Sequence, residues 1–180
     1  MRVFIAVKLT EESVNLLSEQ QQSIALRKPK KARPLPPSSF HLTLHFLGEK
    51  SPEEVEKILD IVERYHSRVE GLKLDIQPET TAMGFRCLTV VCQPDAELEK
   101  VYLEIGDDLA EILPDFKRQF PHLRPHITLF RSWSQPEKIE LSNPGNITLE
   151  TIELYQTISD ERGRSIAYEI IDRELLNGRD

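Results

Sequence analysis

The chain of 180 residues has little cysteine and no long hydrophobic run. Its two cysteines, Cys87 and Cys92, lie five residues apart in a segment whose pattern predicts one strand. Side chains alternate between the two faces of a strand, so this odd spacing argues against a disulfide between them. The N-terminal apolar stretch from Val3 to Val7 is too short to cross a bilayer and is followed by Lys8. We therefore expect reduced thiols, no membrane partner and a cytoplasmic location.

The chain also lacks the positive charge that a protein needs to coat long nucleic acids, since its net charge is −7. Acidic residues are, however, absent from two windows. Residues 20–48 contain five bases and residues 116–136 contain four. Each window holds one copy of a His-x-Thr motif, and we interpret this association as a local site for an anion.

Apolar periodicity and capping residues predict a mixture of strands and helices. Strands are expected at 2–9, 40–47, 72–78, 86–92, 126–131, 146–157 and 165–172, with a proline-rich loop at 28–39. Helices are expected after Thr10, after Ser51-Pro52, and from about Asp95 to Leu113. A chain of this length suffices for one domain with a sizeable core.

An internal repeat organises these elements. In an alignment of the sequence with itself, residues 2–7 match residues 86–91 at an offset of 84, and residues 41–44 match residues 126–129 at an offset of 85. We therefore predict two copies of one unit, related by a pseudo-twofold axis that places equivalent strands beside a central cleft. The whole chain, 1–180, would form one two-lobed domain, with repeats at roughly 1–50 and 86–131. Equivalent strands should then face each other across the cleft.

The two motifs, FHLTLHFLG and PHITLFR, carry the chemistry. In a strand, His41 and Thr43 project to one face, as do His126 and Thr128, while the interleaved leucine and isoleucine residues project into the core. Imidazole titrates near neutral pH, so two opposed histidines suit an acid and a base acting on a phosphodiester. The threonine hydroxyls and the guanidinium of Arg131 would donate to the phosphate oxygens without a metal or other cofactor.

The other three histidines allow different interpretations. His45 lies four residues after His41, and His122 lies four before His126, which is a common zinc spacing on a helix. These segments are poor helices, because Pro121 and Pro125 interrupt one and the other alternates as a strand. A zinc site is therefore the weaker alternative. We expect His45 to be a solvated residue at the cleft rim and His66 to be a surface residue.

The chain resembles the two-histidine phosphoesterases, and within them the RNA 2′,3′-cyclic phosphodiesterases, also called 2′-5′ RNA ligase-like proteins. The resemblance rests on MRVFIAVKL, PPSSFHLTLHFLGE, RPHITLFR and SIAYEII. It implies an α+β fold made by a bilobal pseudo-twofold duplication, with antiparallel sheets flanking a central cleft and helices outside. It also implies metal-independent hydrolysis of 2′,3′-cyclic phosphate ends of RNA or nucleotides to 2′-phosphomonoesters. His41 would protonate the leaving O3′ and His126 would activate water, while Thr43, Thr128 and Arg131 hold the phosphate. No obligate protein partner is implied, and we expect a monomer.

Two departures from the family leave the residues that stack on a nucleobase unassigned. The family often has tryptophan shortly before the first motif, where this chain has Pro34 and its neighbours, and the segment near Phe85 is shorter than the usual aromatic-bearing loop. Two other functions stay open. One is a phosphodiesterase of a small metabolite such as ADP-ribose cyclic phosphate, and the other is a binding module for a nucleotide or RNA end without turnover. The reverse reaction, 2′-5′ ligation of RNA, would exchange the roles of the two histidines.

Overall fold

The computed structural model describes residues 1–83, 86–135 and 138–177, in which nine strands form one antiparallel sheet. The strands are β1 (Arg2–Leu9), β2 (Arg33–Pro34), β3 (His41–Glu49), β4 (Lys73–Asp75), β5 (Thr81–Met83), β6 (Cys87–Val91), β7 (His126–Arg131), β8 (Asn146–Ser159) and β9 (Ser165–Ile170). Their order is β4-β8-β1-β3-β7-β6-β5, with β2 paired to β7 and β9 paired to β8. The predicted α+β fold is confirmed, and Cys87 and Cys92 are free cysteines within it.

Three long helices begin where their capping residues predict. The helices are α1 (Glu11–Ala25), α2 (Pro52–Tyr65), α3 (Ala96–Ile112) and the short α4 (Arg173–Asn177). Thr10 and Asp95 cap α1 and α3 by accepting a hydrogen bond from the third backbone N–H beyond them, and Ser51 forms a capping box with Glu54. None of the described helices is long and apolar enough to cross a membrane.

The central strand β1 is buried on both faces. Val3, Ile5 and Val7 join the main core together with the buried residues of α1, α2 and α3. Phe4 and Ala6 point the other way and pack in a second cluster with Tyr155. The three long helices therefore cover one face of the sheet. The motif histidines lie on the opposite face, because Leu42 and its apolar neighbours in the motif strands are buried in the main core, as predicted.

The pairing of the motif strands is compatible with a pseudo-twofold axis. β3 and β7 pair at Leu42 and Ile127, which are equivalent residues of the repeat. In the strand order β1-β3-β7-β6, the two central strands are equivalent to each other and so are the two outer ones, as a twofold axis between β3 and β7 requires. The motif strands thus lie side by side in one sheet, and the expectation that they face each other across a cleft was wrong.

The offset between the outer strands of the repeat also needs correction. Val7 pairs with Leu42 and Val90 pairs with Ile127, so these strands are related by an offset of 83 and not 84. Because β1 is buried on both faces, its sequence has no alternation of polar and apolar residues that could fix this register.

Each motif strand contains a β-bulge at the equivalent position. Leu44 is the extra residue in β3 and Leu129 is the extra residue in β7, and neither has a partner in the strand register of β1 or β6. An extra residue shifts the alternation of every side chain that follows it. Residues four and five places after each motif histidine therefore point to the faces opposite to those that simple alternation predicts.

The bulges decide which side chains reach the cleft. His45 and Phe130 turn into the core, whereas Phe46 and Arg131 turn to the face that carries the motif histidines. The expectation that His45 is a solvated rim residue was wrong, since its side chain is buried and its Nε2–H donates to the Tyr102 carbonyl oxygen at 2.9 Å. Its ring stacks on Tyr102 with 4.5 Å between the ring centroids.

Candidate active site

A cavity of about 530 Å³ on the open face of the sheet brings the predicted site residues together. All five line it: His41, Thr43, His126, Thr128 and Arg131. The antiparallel pair at the centre of β3 and β7 places His41 level with Thr128 and Thr43 level with His126. Each histidine of one motif therefore lies across from the threonine of the other.

The two histidines have the same orientation. The Nδ1–H of His41 donates to the carbonyl oxygen of Ser39 at 2.7 Å, and the Nδ1–H of His126 donates to that of Arg124 at 2.8 Å. A carbonyl oxygen can only accept, so in the neutral imidazole the proton is on Nδ1 and the lone pair is on Nε2. In both cases Nε2 is the atom available to a bound ligand.

Aromatic rings hold His41 in place. Its ring centroid lies 5.0 Å from that of Phe4 and 5.7 Å from that of Tyr155, and Tyr168 approaches edge-on at 5.0 Å. These rings restrict the rotation of the imidazole and keep water away from one side of it. They come from β1, β8 and β9, outside the motif, and only the folded sheet reveals their role.

Burial favours the neutral form of both motif histidines. It lowers the pKa of His41 to about 4, and the positive charges of Arg131 and His126 act in the same direction, against the hydrogen bond to Ser39. Burial also lowers the pKa of His126, with a smaller contribution from Arg124. A bound phosphate brings negative charge next to both rings, which raises these pKa values and favours protonation of one of them.

Only part of the basic windows reaches the cavity. Arg131 lines it, as does Arg2 from β1, whereas Arg118 lies elsewhere and binds Asp107 and the carbonyl oxygen of Leu103. No aspartate or glutamate is among the described residues that line the cavity. The interpretation of the windows as an anion site is thus supported for Arg131 and is wrong for Arg118.

The remaining histidines are not part of the site. His122 is largely exposed and lies 2.9 Å from a carboxylate oxygen of Glu99, and the half-exposed His66 contacts the Ile152 carbonyl oxygen and Glu153. His66 is thus a surface residue, as predicted. Among the described residues, no group of three or more histidines, cysteines or acids is arranged to hold a metal ion.

A buried glutamine with no distinguishing signal in the sequence contacts the segments that carry the site. The side-chain amide of Gln21 in α1 donates to the carbonyl oxygens of Leu35 and Leu129, both at 2.8 Å. These bonds tie the proline-rich loop to the bulge of β7. Gln21 thereby positions the segment that leads into the first motif.

Stability should depend on pH through the buried histidines. The pKa of His45 is lowered to about 4, mainly by burial, from an ordinary value of 6.5. Between these values the unfolded chain binds more protons than the folded one, so the free energy of unfolding falls as the pH falls from about 6.5 towards 4.

The variant His45→Gln, which can still donate to Tyr102, removes this proton uptake. We expect the free energy of unfolding of wild type, relative to that of the variant, to fall by about 3 kcal/mol as the pH falls from 6.5 to 4, as measured by urea unfolding. A difference that stays constant from pH 7 to pH 4 would contradict the burial of a neutral imidazole.

The chain is similar to proteins of known class along most of its length. The family model described as LigT like Phosphoesterase matches residues 7–77. An RNA 2′,3′-cyclic phosphodiesterase of Thermotoga maritima is 30% identical over 149 residues, which are 78% of this chain and 74% of that relative. The chain belongs to the LigT-like phosphoesterase family. It is therefore a phosphoesterase, with the two-histidine motifs on the open face of its sheet.

Solved structures of the LigT-like phosphoesterases agree with this assignment. LigT of E. coli in complex with 3′-AMP is 26% identical, with a TM-score of 0.72 and 95% of each chain covered. That protein has also been solved with NADP⁺ and with ATP. A protein of Thermus thermophilus shares the fold, with a TM-score of 0.77 over 96% of each chain at 24% identity.

Proposed function

We propose that this LigT-like phosphoesterase hydrolyses 2′,3′-cyclic phosphate ends of RNA or nucleotides to 2′-phosphomonoesters, without a metal. The observation that carries the proposal is the pair of histidines with the same orientation: each has its proton on Nδ1 and presents Nε2 to the catalytic cavity. No acidic residue is among the described residues that line this cavity. The activity named for the Thermotoga maritima relative supports the choice of a cyclic phosphate. The five predicted site residues meet in one cavity of a single folded chain, and we propose that the enzyme acts as a monomer.

In the proposed reaction, His126 takes a proton from water as the water oxygen attacks phosphorus. The bond between phosphorus and O3′ breaks, and His41 donates a proton from Nε2 to the departing O3′. His41 takes up this proton from solvent when the negatively charged phosphate binds and raises its pKa. Thr43, Thr128 and Arg131 donate hydrogen bonds to the nonbridging oxygens, whose negative charge grows in the transition state. His126, now protonated, then releases a proton to solvent, and His41, now neutral, takes one up.

The surroundings of the two rings support this division of roles. His41 is the more deeply buried of the two and lies against three aromatic rings, whereas His126 is more open to water. A general base that activates water needs access to it. A general acid that protonates a leaving oxygen does not. Ligation of a 5′-hydroxyl to a cyclic phosphate would follow the same steps with the hydroxyl in place of water and with the same O3′ leaving. The two histidines would then keep their roles, and the exchange expected from the sequence would apply only to the reverse step, cleavage of a 2′-5′ bond.

An apolar cavity beside the catalytic one supports a nucleotide ligand over a ligand that is only a phosphate. Its volume is about 340 Å³, and it shares Thr43, Phe46 and His126 with the catalytic cavity. Phe46, which lines both cavities, is 62% exposed, and Phe120, which lines the apolar one, is 59% exposed. Exposed aromatic faces are the usual platforms for unpaired bases. The single tryptophan of the chain, Trp133, is fully buried, and Phe85 lies outside the described residues.

The test is hydrolysis of the four nucleoside 2′,3′-cyclic phosphates in the presence of EDTA, with the product isomer identified by chromatography. We expect the 2′-phosphate alone and full activity in the chelator. Formation of the 3′-phosphate would reverse the assignment of the leaving oxygen, and loss of activity in EDTA would contradict the metal-independent reaction. Tight binding without turnover would favour a binding module, and turnover of ADP-ribose cyclic phosphate alone would favour a metabolite phosphodiesterase.

A further inference from the structure

Three arginines at or beside the catalytic cavity have no acidic partner among the described residues. Arg33 in β2 lies directly opposite Arg131 in β7, and Arg2 lines the same cavity from β1. Directly opposed residues of an antiparallel pair share a face, and two like charges there destabilise a sheet. Within the residues that the structure describes, none of the three forms an ion pair.

Some arginines elsewhere on the molecule are paired with acids, whereas others, such as Arg27 and Arg124, form no ion pair within the described residues. Arg64, Arg118 and Arg173 each contact a carboxylate. The chain has 30 acids and only 23 lysines and arginines, so acids for pairing are not scarce. Arg33 and Arg131 are instead held together across a strand pair, an arrangement that an anion between them would relieve.

A small cavity lies at this pair of arginines. Its volume is about 250 Å³, and its wall contains the prolines on either side of Leu35, together with Arg33, Ser39, Arg131, Ser165 and Tyr168. Its charged and hydroxyl groups are thus two guanidiniums, two serine hydroxyls and a phenol, all of which can donate a hydrogen bond. No carboxylate is among its described lining residues.

The small cavity continues into the catalytic one. Leu35, Arg131, Ser165 and Tyr168 line both. Arg131 therefore stands between the two spaces, with the motif histidines on one side and Arg33 on the other. A ligand whose cyclic phosphate occupies the catalytic cavity can extend directly into the smaller one.

We propose that the cavity between Arg33 and Arg131 is a second phosphate site, which binds a further phosphate of the substrate beyond the cyclic phosphate. The proposal rests on the proposed function, and it defines the substrate class. The substrate is a nucleotide 2′,3′-cyclic phosphate that carries another phosphate on its 5′ side. That group can be the next phosphodiester of an RNA chain or a terminal 5′-phosphate, since both present the same oxygens to the guanidinium.

Three substrates distinguish these sources: adenosine 2′,3′-cyclic phosphate, its 5′-phosphorylated form, and the dinucleotide ApA with a 2′,3′-cyclic end. We expect wild type to have the lowest kcat/KM for the first. The preference for a further phosphate is the kcat/KM of either phosphate-bearing substrate divided by the kcat/KM of adenosine 2′,3′-cyclic phosphate. Arg33→Ala should lower this ratio by about 10- to 100-fold, the range for a charge-assisted hydrogen bond. Arg33→Lys should retain part of the ratio. A ratio that falls for the dinucleotide alone would identify the RNA backbone as the ligand.

Lys31→Ala is the matched control, because Lys31 is exposed, carries the same charge two residues away and lines neither cavity. This variant should leave the ratio unchanged. Equal kcat/KM values of wild type for all three substrates, or an equal loss for all three in Arg33→Ala, would overturn the second phosphate site. Failure of the proposed function gives a different result, since wild type would then hydrolyse none of them.

Discussion

Replacing His41 or His126 by alanine is expected to lower kcat for a nucleoside 2′,3′-cyclic phosphate by about 10²–10⁴, as is typical for loss of a general acid or base. Each ring presents Nε2 to the cavity, and nothing else among its described lining residues titrates like imidazole. The double variant should be little worse than either single one, because the two groups act in one step. Single-turnover kinetics with saturating enzyme measure the chemical step directly.

Two further variants separate chemistry from folding. His41→Asn has an amide that can still donate to the Ser39 carbonyl oxygen from near the Nδ1 position, so the fold should persist while activity is lost. His66→Ala removes a histidine that lines no part of the cavity and should leave kcat unchanged. Activity within a factor of ten of wild type in both His41→Ala and His126→Ala would exclude the two-histidine mechanism.

Replacing Arg131 by alanine is expected to lower kcat/KM by about 10²–10³, the usual cost of removing one donor that stabilises transition-state charge. Arg131→Lys should recover only part of this loss, because an ammonium group cannot match the two-pronged geometry of a guanidinium. The control Arg27→Ala removes an exposed arginine that does not line the catalytic cavity, and it should behave as wild type.

The Arg131 variant also has a readout that does not depend on turnover. The charge of Arg131 contributes to the low pKa of His41, so its removal should raise that pKa. An NMR titration of the imidazole signals in the empty enzyme measures this shift. A His41 pKa that is unchanged or lower in Arg131→Ala would mean that the guanidinium does not act on the ring at all.

Local sequence signals were sufficient for most of the elements. Thr10, Ser51 and Asp95 cap the helices that they were expected to cap, because capping depends on hydrogen bonds over only three residues. The motif strands and their buried apolar residues followed from alternation. The five candidate site residues could be named because a rare pattern occurs twice, and the structure places them around one cavity.

The rest depends on contacts between distant parts of the chain. Alternation failed at His45 because a bulge inserts Leu44, and no local signal marks a bulge in an apolar strand. Gln21 is an ordinary polar residue of an amphipathic helix until its amide meets two carbonyl oxygens from other segments. The aromatic surroundings of His41 come from three strands that only the completed sheet brings together.

The equivalent bulges of β3 and β7 present different side chains to the cleft, Phe46 in one repeat and Arg131 in the other. Two identical halves would accept a nucleotide equally well in either direction, and each direction would expel a different ribose oxygen. An aromatic ring on one side and a cation on the other make the two directions unequal in energy. For the proposed reaction, we therefore expect positions 46 and 131 to set which ribose oxygen leaves, and we expect the interchange Phe46→Arg with Arg131→Phe to shift the product from the 2′-phosphate towards the 3′-phosphate.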